Sequence, residues 1–232
     1  MPSYTYAIGD AHGRFDLVRE AVALSEQHCG ASQGCFVSCG DFIDRGPASK
    51  EIIEFFMEGP RLPNWQWQIL AGNHEDMMGL ACRSLGHMKW WLGNGGNQTL
   101  RSYGAQEGMT YDRAQKLVPK EHLCWLDSLP IYHLDTHRAF VHAGFDPSRS
   151  LKDQSRHEMT WMRDGKDTNY SFLGKHVVHG HEQFQEGPIL NSHKTNLDVY
   201  AWRFGRLAVA VFDNSKPGGP IDILWVKGPS VD

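Results

Sequence analysis

Residues 35–57 read CFVSCGDFIDRGPASKEIIEFFM. The run Cys35–Cys39 has the length and apolar character of a buried strand. Ser49–Met57 sets Ile52, Ile53, Phe55 and Phe56 at helical spacing behind Ser49, a residue type suited to capping the helix. Between them lies Gly40–Gly46, a polar loop with two carboxylates and a guanidinium. Strand, polar loop and helix in that order form the unit of an open α/β sheet, in which ligands gather at the carboxyl ends of strands.

The unit recurs on both sides. Tyr4–Ile8 reads as a strand leading into Gly9-Asp10-Ala11-His12-Gly13 and a helix over Phe15–Gln27. Trp65–Leu70 reads as a strand leading into Gly72-Asn73-His74-Glu75, with a helix opening near His74. Downstream, Arg138–Val141 leads into His142-Ala143-Gly144, and His176–Val178 into His179-Gly180-His181. Further strands are expected at Ile131–Leu134, Leu207–Phe212 and Ile221–Lys227. The stretch from Cys82 to Leu129 is mostly helical in pattern, broken at Gly93–Gly96 and Gly104. Strands and helices mixed this way predict two sheets with helices outside, in one domain over 1–228 and a loose tail over 229–232.

Composition narrows the classes. With 41% hydrophobic and 22% charged residues, the chain matches a soluble globular domain. A net charge of -4 without a Lys/Arg block argues against a nucleic-acid partner. No apolar run nears the ~20 residues of a membrane span, and the start lacks a signal-peptide pattern, so the expected location is the cytoplasm. The five cysteines, Cys29, Cys35, Cys39, Cys82 and Cys124, contain no C-x-x-C pair and read as reduced thiols.

One Gly-Asp or Gly-Asn-His is ordinarily a turn. Five such clusters, each at a strand end, are better read as one crevice. Carboxylate oxygens with neutral imidazoles suit Mn, Fe or Zn better than Mg or Ca. Asp10 and His12 alternate by two, so an extended strand end would aim both the same way. A single carboxylate can bridge two cations about 3.5–4 Å apart.

With these residues in view, the sequence resembles the phosphoprotein phosphatase branch of the calcineurin-like metallophosphoesterases. The pattern GDxHG, GDxxDRG, GNHE, HxG and GH is matched at Gly9–Gly13, Gly40–Gly46, Gly72–Glu75, His142–Gly144 and Gly180–His181. Asp44-Arg45-Gly46 is its most specific part. Asn94-Gly95-Gly96, Thr99-Leu100, Ser102-Tyr103-Gly104 and Trp161-Met162-Arg163 are similar to the compact bacterial serine/threonine phosphatases of that branch. Two departures stand out. Leu197-Asp198-Val199-Tyr200-Ala201 replaces the usual LDTGA, and Glu182 follows His181 where Thr is common.

The resemblance implies an α/β fold of two mixed β-sheets packed as a sandwich between outer helices (four layers, αββα). It implies two divalent cations, Mn²⁺ foremost with Fe and Zn as the other candidates. Asp10, His12 and Asp41 would hold the first; Asp41 (bridging), Asn73, His142 and His181 would hold the second. Spacing alone leaves His179 a rival to His181, and only the family match favours His181. A water shared by the cations would become a hydroxide nucleophile attacking phosphorus in line. His74 is then the general acid, and Asp44 keeps its imidazole protonated and aimed. Arg45, Arg163 and Asn73 would bind phosphate oxygens.

The expected activity is hydrolysis of phosphomonoesters, foremost phosphoserine and phosphothreonine in proteins, with small phosphoesters as further substrates. A dinucleoside polyphosphate hydrolase is the runner-up, and a metal-binding interaction module without catalysis is the rival from another class. Cys39 and Arg45 also satisfy C-x₅-R, the spacing of cysteine-dependent phosphatases, but Asp41 and Asp44 between them would repel a phosphate dianion. Trp65, Trp67, Trp90 and Trp91 read as packing, and Tyr200 stands where relatives carry a small residue near the cleft.

Overall fold

The computed structural model describes residues 2–163 and 168–230. The first part of the chain builds β1 (Tyr4–Ile8), α1 (Phe15–Cys29), β2 (Gly34–Ser38), α2 (Ser49–Glu58), β3 (Trp65–Ile69) and α3 (Asn73–Arg83). A helical stretch follows with α4 (Leu85–Trp91), α5 (Asn97–Ser102), α6 (Tyr111–Gln115) and α7 (Lys120–Ser128). The remainder adds β4 (Tyr132–Leu134), β5 (Arg138–Val141), α8 (Arg156–Trp161), β6 (His176–His179), β7 (Ile189–Leu190) and β8 (Lys194–Asn196). It ends with α9 (Ala201–Phe204), β9 (Arg206–Asp213) and β10 (Asp222–Lys227).

One sheet runs in the order β10-β9-β1-β2-β3, the other β4-β5-β6-β8-β7. β1, β2 and β3 are mutually parallel, as are β5, β6 and β8, while the flanking strands pair antiparallel. Both sheets are therefore mixed.

Side-chain parity explains the layers. Because successive residues of a strand face opposite ways, each inner strand feeds two cores. Tyr6, Ile8, Phe36, Leu207, Val209 and Val211 pack toward the helices with Leu17, Ile52, Ile53 and Met77. Their neighbours Ala7, Cys35, Val37, Ala210 and Phe212 face the other sheet and meet Phe140, Val178 and Leu197. Beyond that sheet, Ala139, Val141 and Val177 pack on Phe145, Met159 and Tyr170, with α8 supplying Met159. Three cores between four layers give the helix–sheet–sheet–helix sandwich. Each such large apolar side chain removed from water stabilises by about 1.5–3 kcal/mol.

The expected strands and helices appear within a residue or two, and two local readings change. Ser49 is not the cap of α2; Ala48 is, and the Ser49 hydroxyl instead accepts the Asp44 N–H at 3.0 Å. The break expected at Gly93–Gly96 is a kink between α4 and α5, where Gly95 leaves helical geometry at φ 105°. β7 and β8 were not anticipated: Lys194-Thr195-Asn196 is polar, yet all three residues are buried. At the far end the Gly228 N–H bonds Gly205, while Val231 and Asp232 of the expected tail lie outside the described residues. Among the described residues no helix is long and apolar enough to cross a membrane.

Candidate metal centre

The carboxyl ends of β1, β2, β3, β5 and β6 deliver the five polar clusters to one place, at the seam between the sheets. Backbone in the left-handed region makes the convergence. His12, Asp41, Asp44, Arg45 and His181 all have φ between 44° and 69°, a conformation costly for non-glycine residues and found where function fixes geometry. Asp10 and His12 do not share a face through strand alternation, as the sequence reading supposed. β1 has ended at Ile8, and the turn at His12 aims the ring.

Asp41 is central. Its Oδ2 lies 3.4 Å from His142 Nε2, 3.8 Å from His74 Nε2 and 3.9 Å from His12 Nε2. Its Oδ1 accepts the His74 backbone N–H at 2.9 Å. On one side, His12 Nε2 also faces Asp10 Oδ2 at 3.9 Å. On the other, His142 Nε2 stands 2.9 Å from Asn73 Oδ1 and 3.1 Å from His181 Nδ1.

Two buried imidazoles are oriented from behind. His12 Nδ1 donates to the Ile43 carbonyl at 2.8 Å and His142 Nδ1 to the Cys39 carbonyl at 2.9 Å, which leaves Nε2 of each facing Asp41. Of the two rival histidines, His181 enters this cluster. His179 completes β6, with Nδ1 3.1 Å from the Gly180 carbonyl oxygen. Gly180 has no alternative, because a Cβ there would sit 2.1 Å from Asp10 Oδ1.

The donor chemistry fits cations. Asp41, His142 and His181 offer ligand atoms all within 4.8 Å of one another, and so do His12, Asp41 and His74. Burial, with the charge of Arg45, holds His12 well below the usual imidazole range. Burial and His142 push His181 down to about 3, so its imidazole is neutral near neutral pH and free to offer a lone pair. Burial alone would lower His142, but Asp41 and Asp10 push it up to about 10. A convergence of carboxylates that can hold a proton so firmly can hold a cation in its stead.

His74 and Asp44 form a separate pair. His74 Nδ1 lies 2.7 Å from Asp44 Oδ2, and both side chains are almost fully buried. Burial disfavours the imidazolium, yet Asp41 and Asp44 more than offset it and raise the His74 pKa. Asp44 is itself held by the Thr99 hydroxyl at 2.6 Å and the Trp91 indole N–H at 2.9 Å. Trp91 thus has a polar task beyond packing that no local pattern marks, and Thr99, singled out only by resemblance, reaches Asp44 across 55 residues.

Arg45 lies between His12 and His74, its guanidinium 2.7 and 3.2 Å from their Nε2 atoms. Its backbone N–H bonds the Gly95 carbonyl at 3.1 Å, and a Cβ on Gly95 would fall 2.7 Å from the Arg45 side chain. That contact is the reason for glycine at the kink. Arg163 is exposed on the rim, near enough for its charge to be felt at His181.

Two further carboxylates, Glu75 of the Gly72–Glu75 motif and Asp198 of the Leu197–Ala201 stretch, have tasks the sequence reading does not assign. Glu75 is buried and accepts backbone N–H groups of Asp41, Phe42, Ile43 and Gly72, so it pins the Asp41 loop to the start of α3. Burial and Asp41 push it up to about 7. Asp198 follows β8 and is pushed up to about 6 by burial and by Asp41. Cys39 is fully buried and its thiol is raised by burial and by Asp10, which removes the thiolate that a cysteine-dependent phosphatase needs.

Comparison with known proteins agrees with this geometry. The profile of the calcineurin-like phosphoesterase family matches residues 4–216. The chain is 29% identical over 167 residues to a protein of Salmonella typhimurium named serine/threonine-protein phosphatase 1, covering 69% of each. It is 31% identical over 158 residues to a symmetrical bis(5'-nucleosyl)-tetraphosphatase of Aromatoleum aromaticum, covering 63% of this chain and 48% of that one. In fold it is similar to a protein serine/threonine phosphatase from Saccharomyces cerevisiae, with a TM-score of 0.61 at 17% identity over 100% of this chain and 82% of that one.

Proposed function

The chain belongs to the calcineurin-like phosphoesterase family and is a phosphoric ester hydrolase, and from that premise we propose a dinuclear phosphatase of phosphoserine and phosphothreonine in cytoplasmic proteins. The observation that carries the reading is the buried His74–Asp44 pair beside a cluster of Asp, Asn and His side chains. A metal site needs the second; only a catalyst needs the first.

Asp10, His12 and Asp41 would hold one cation, and Asp41, Asn73, His142 and His181 the other. Bound there, a divalent pair neutralises phosphate charge and lowers the pKa of water toward neutrality. Mn²⁺ is the leading metal, with Fe and Zn compatible with the same donors. The protein does the rest. Asp44 fixes His74 Nδ1, which leaves Nε2 to give a proton to the departing alkoxide. Arg45, Arg163 and Asn73 orient the phosphate oxygens, the two guanidinium groups through paired N–H donors.

His74 falls in one geometric cluster with His12 and Asp41, so its part as acid rather than ligand requires a test. His74→Asn should retain wild-type metal content by elemental analysis while kcat on a poor leaving group falls about 10²- to 10⁴-fold. Loss of one metal equivalent would reassign it as a ligand. Turnover of p-nitrophenyl phosphate with Mn²⁺, abolished by chelation, tests catalysis itself; a chain that binds Mn²⁺ without turnover is a scaffold. The 31% identical tetraphosphatase supports a second substrate reading. A higher kcat/KM on diadenosine tetraphosphate than on phosphopeptides would replace the protein substrate with the dinucleotide.

A further inference from the structure

Asp198 is the polar residue of the site that the assignments above leave without a task. It stands at the carboxyl end of β8, a sixth strand end beside the five that carry the motifs. It is 1% exposed. Its Oδ1 accepts the Tyr200 N–H at 3.0 Å, whereas its Oδ2 is buried with no hydrogen-bond partner among the described residues. An unpaired buried carboxylate oxygen is costly, so its retention calls for a ligand.

Its surroundings say which. A Cβ on Gly9 would lie 2.7 Å from the Leu197 carbonyl carbon and 2.9 Å from the Asp198 nitrogen, so the backbone entering Asp10 runs directly against the one entering Asp198. The charged groups that bear on Asp198 are Asp41, Arg45 and His142, and Asp198 in turn bears on Asp10. Two carboxylates, Asp10 and Asp41, thus lie within electrostatic range of a third that has an oxygen to spare. Like charges gathered out of water destabilise the empty fold and favour a bound cation.

We propose that Asp198 is a positioning residue of the metal centre, its free Oδ2 adding negative charge and an outer acceptor to the cation position formed by Asp10, His12 and Asp41. The inference rests on the dinuclear reading above. It also gives a reason for the strained turn that follows. The backbone N–H of Tyr200, at φ 63°, donates to Asp198 Oδ1 and leaves Oδ2 unengaged among the described residues.

The test is Mn²⁺ binding by calorimetry on the full chain, wild type against Asp198→Asn, with the melting temperature of each metal-free protein. The amide keeps an acceptor for the Tyr200 N–H while removing the charge. Weakening of the tighter Mn²⁺ site by about 10- to 100-fold is expected, the range for outer partners of metal ligands, with a metal-free melting temperature at or above wild type. Unchanged Mn²⁺ affinity, or a lower metal-free melting temperature without an affinity change, would make Asp198 a turn residue only and overturn the proposal. If the amide variant does not fold, Asp198→Ser, whose hydroxyl can accept the same N–H, serves for the same comparison. Absence of Mn²⁺ binding by the wild type would refute the dinuclear reading itself, an outcome distinct from equal binding by both proteins.

Discussion

Replacing Asp44 by Asn isolates what the carboxylate does for His74. Asp44 Oδ1 takes the Thr99 hydroxyl at 2.6 Å, Oδ2 takes His74 Nδ1 at 2.7 Å, and the Trp91 N–H reaches both. An amide can keep its oxygen toward Thr99 and Trp91, both of which donate. Its NH₂ then faces His74 Nδ1, which must become an acceptor. The imidazole is driven to the neutral form protonated on Nε2, a much weaker acid. A hydrogen bond to a charged partner contributes about 1.5–3 kcal/mol, equivalent to roughly 1–2 pKa units. The Asn variant should therefore lose about 10- to 100-fold in kcat on phenyl phosphate at neutral pH, less than the loss on removing His74 itself. On p-nitrophenyl phosphate, whose leaving group departs without a proton, the loss should be within a few-fold. Assays at saturating Mn²⁺, with melting temperatures as a check on folding, read the difference. The double variant with His74→Asn should be no slower than His74→Asn alone, because the two residues act as a unit. Equal losses on the two esters, or additive losses in the double variant, would refute the coupling.

Gly180→Ala should lower Mn²⁺ affinity by about 10-fold or more, because its Cβ would displace the Asp10 carboxylate; unchanged binding would show that the loop yields instead. Alkylation of the Cys124→Ser variant, which lacks the exposed thiol, by iodoacetamide should leave activity intact, since Cys39 is buried and its thiol raised. Inactivation tracking Cys39 modification would revive the cysteine mechanism. Stability should fall with acid through His176, which burial and the charges of Arg138 and His193 push down to about 4. The unfolded chain takes up this proton below about pH 6.5, so the stabilisation is full above that pH and is lost as pH falls toward 4. The share lost between pH 8 and 5 is about 2 kcal/mol, or roughly 4–8 °C in melting temperature. His176→Gln should flatten the curve by that amount, and an unchanged pH slope would remove His176 from the account.

How far the sequence reaches depends on where strand periodicity holds. Within β1, β2 and β9, alternation separates Tyr6, Phe36 and Val209 from Ala7, Val37 and Ala210, and so predicts both the helix-facing core and the core between sheets. The same logic stops at the last strand residue. Asp10 with His12, and His179 with His181, look equivalent by spacing, but His12 and His181 are aimed by left-handed backbone beyond the strands. Motif resemblance could choose His181 because it encodes that turn; periodicity could not. β8 hid for another reason. Its Lys194, Thr195 and Asn196 are polar and carry no apolar alternation, although the fold buries all three. With the strand went its carboxyl end, and with that any task for Asp198, which the sequence shows only as part of Leu197–Ala201. Trp91 and Thr99 reach Asp44 across 47 and 55 residues from the helical stretch, a distance at which no local pattern speaks. The residues that would hold the cations are thus written in short motifs at strand ends. Of those that position the site's side chains, Glu75 sits in such a motif, whereas Trp91, Thr99 and Asp198 come from elements whose relation to the site exists only once both sheets have formed.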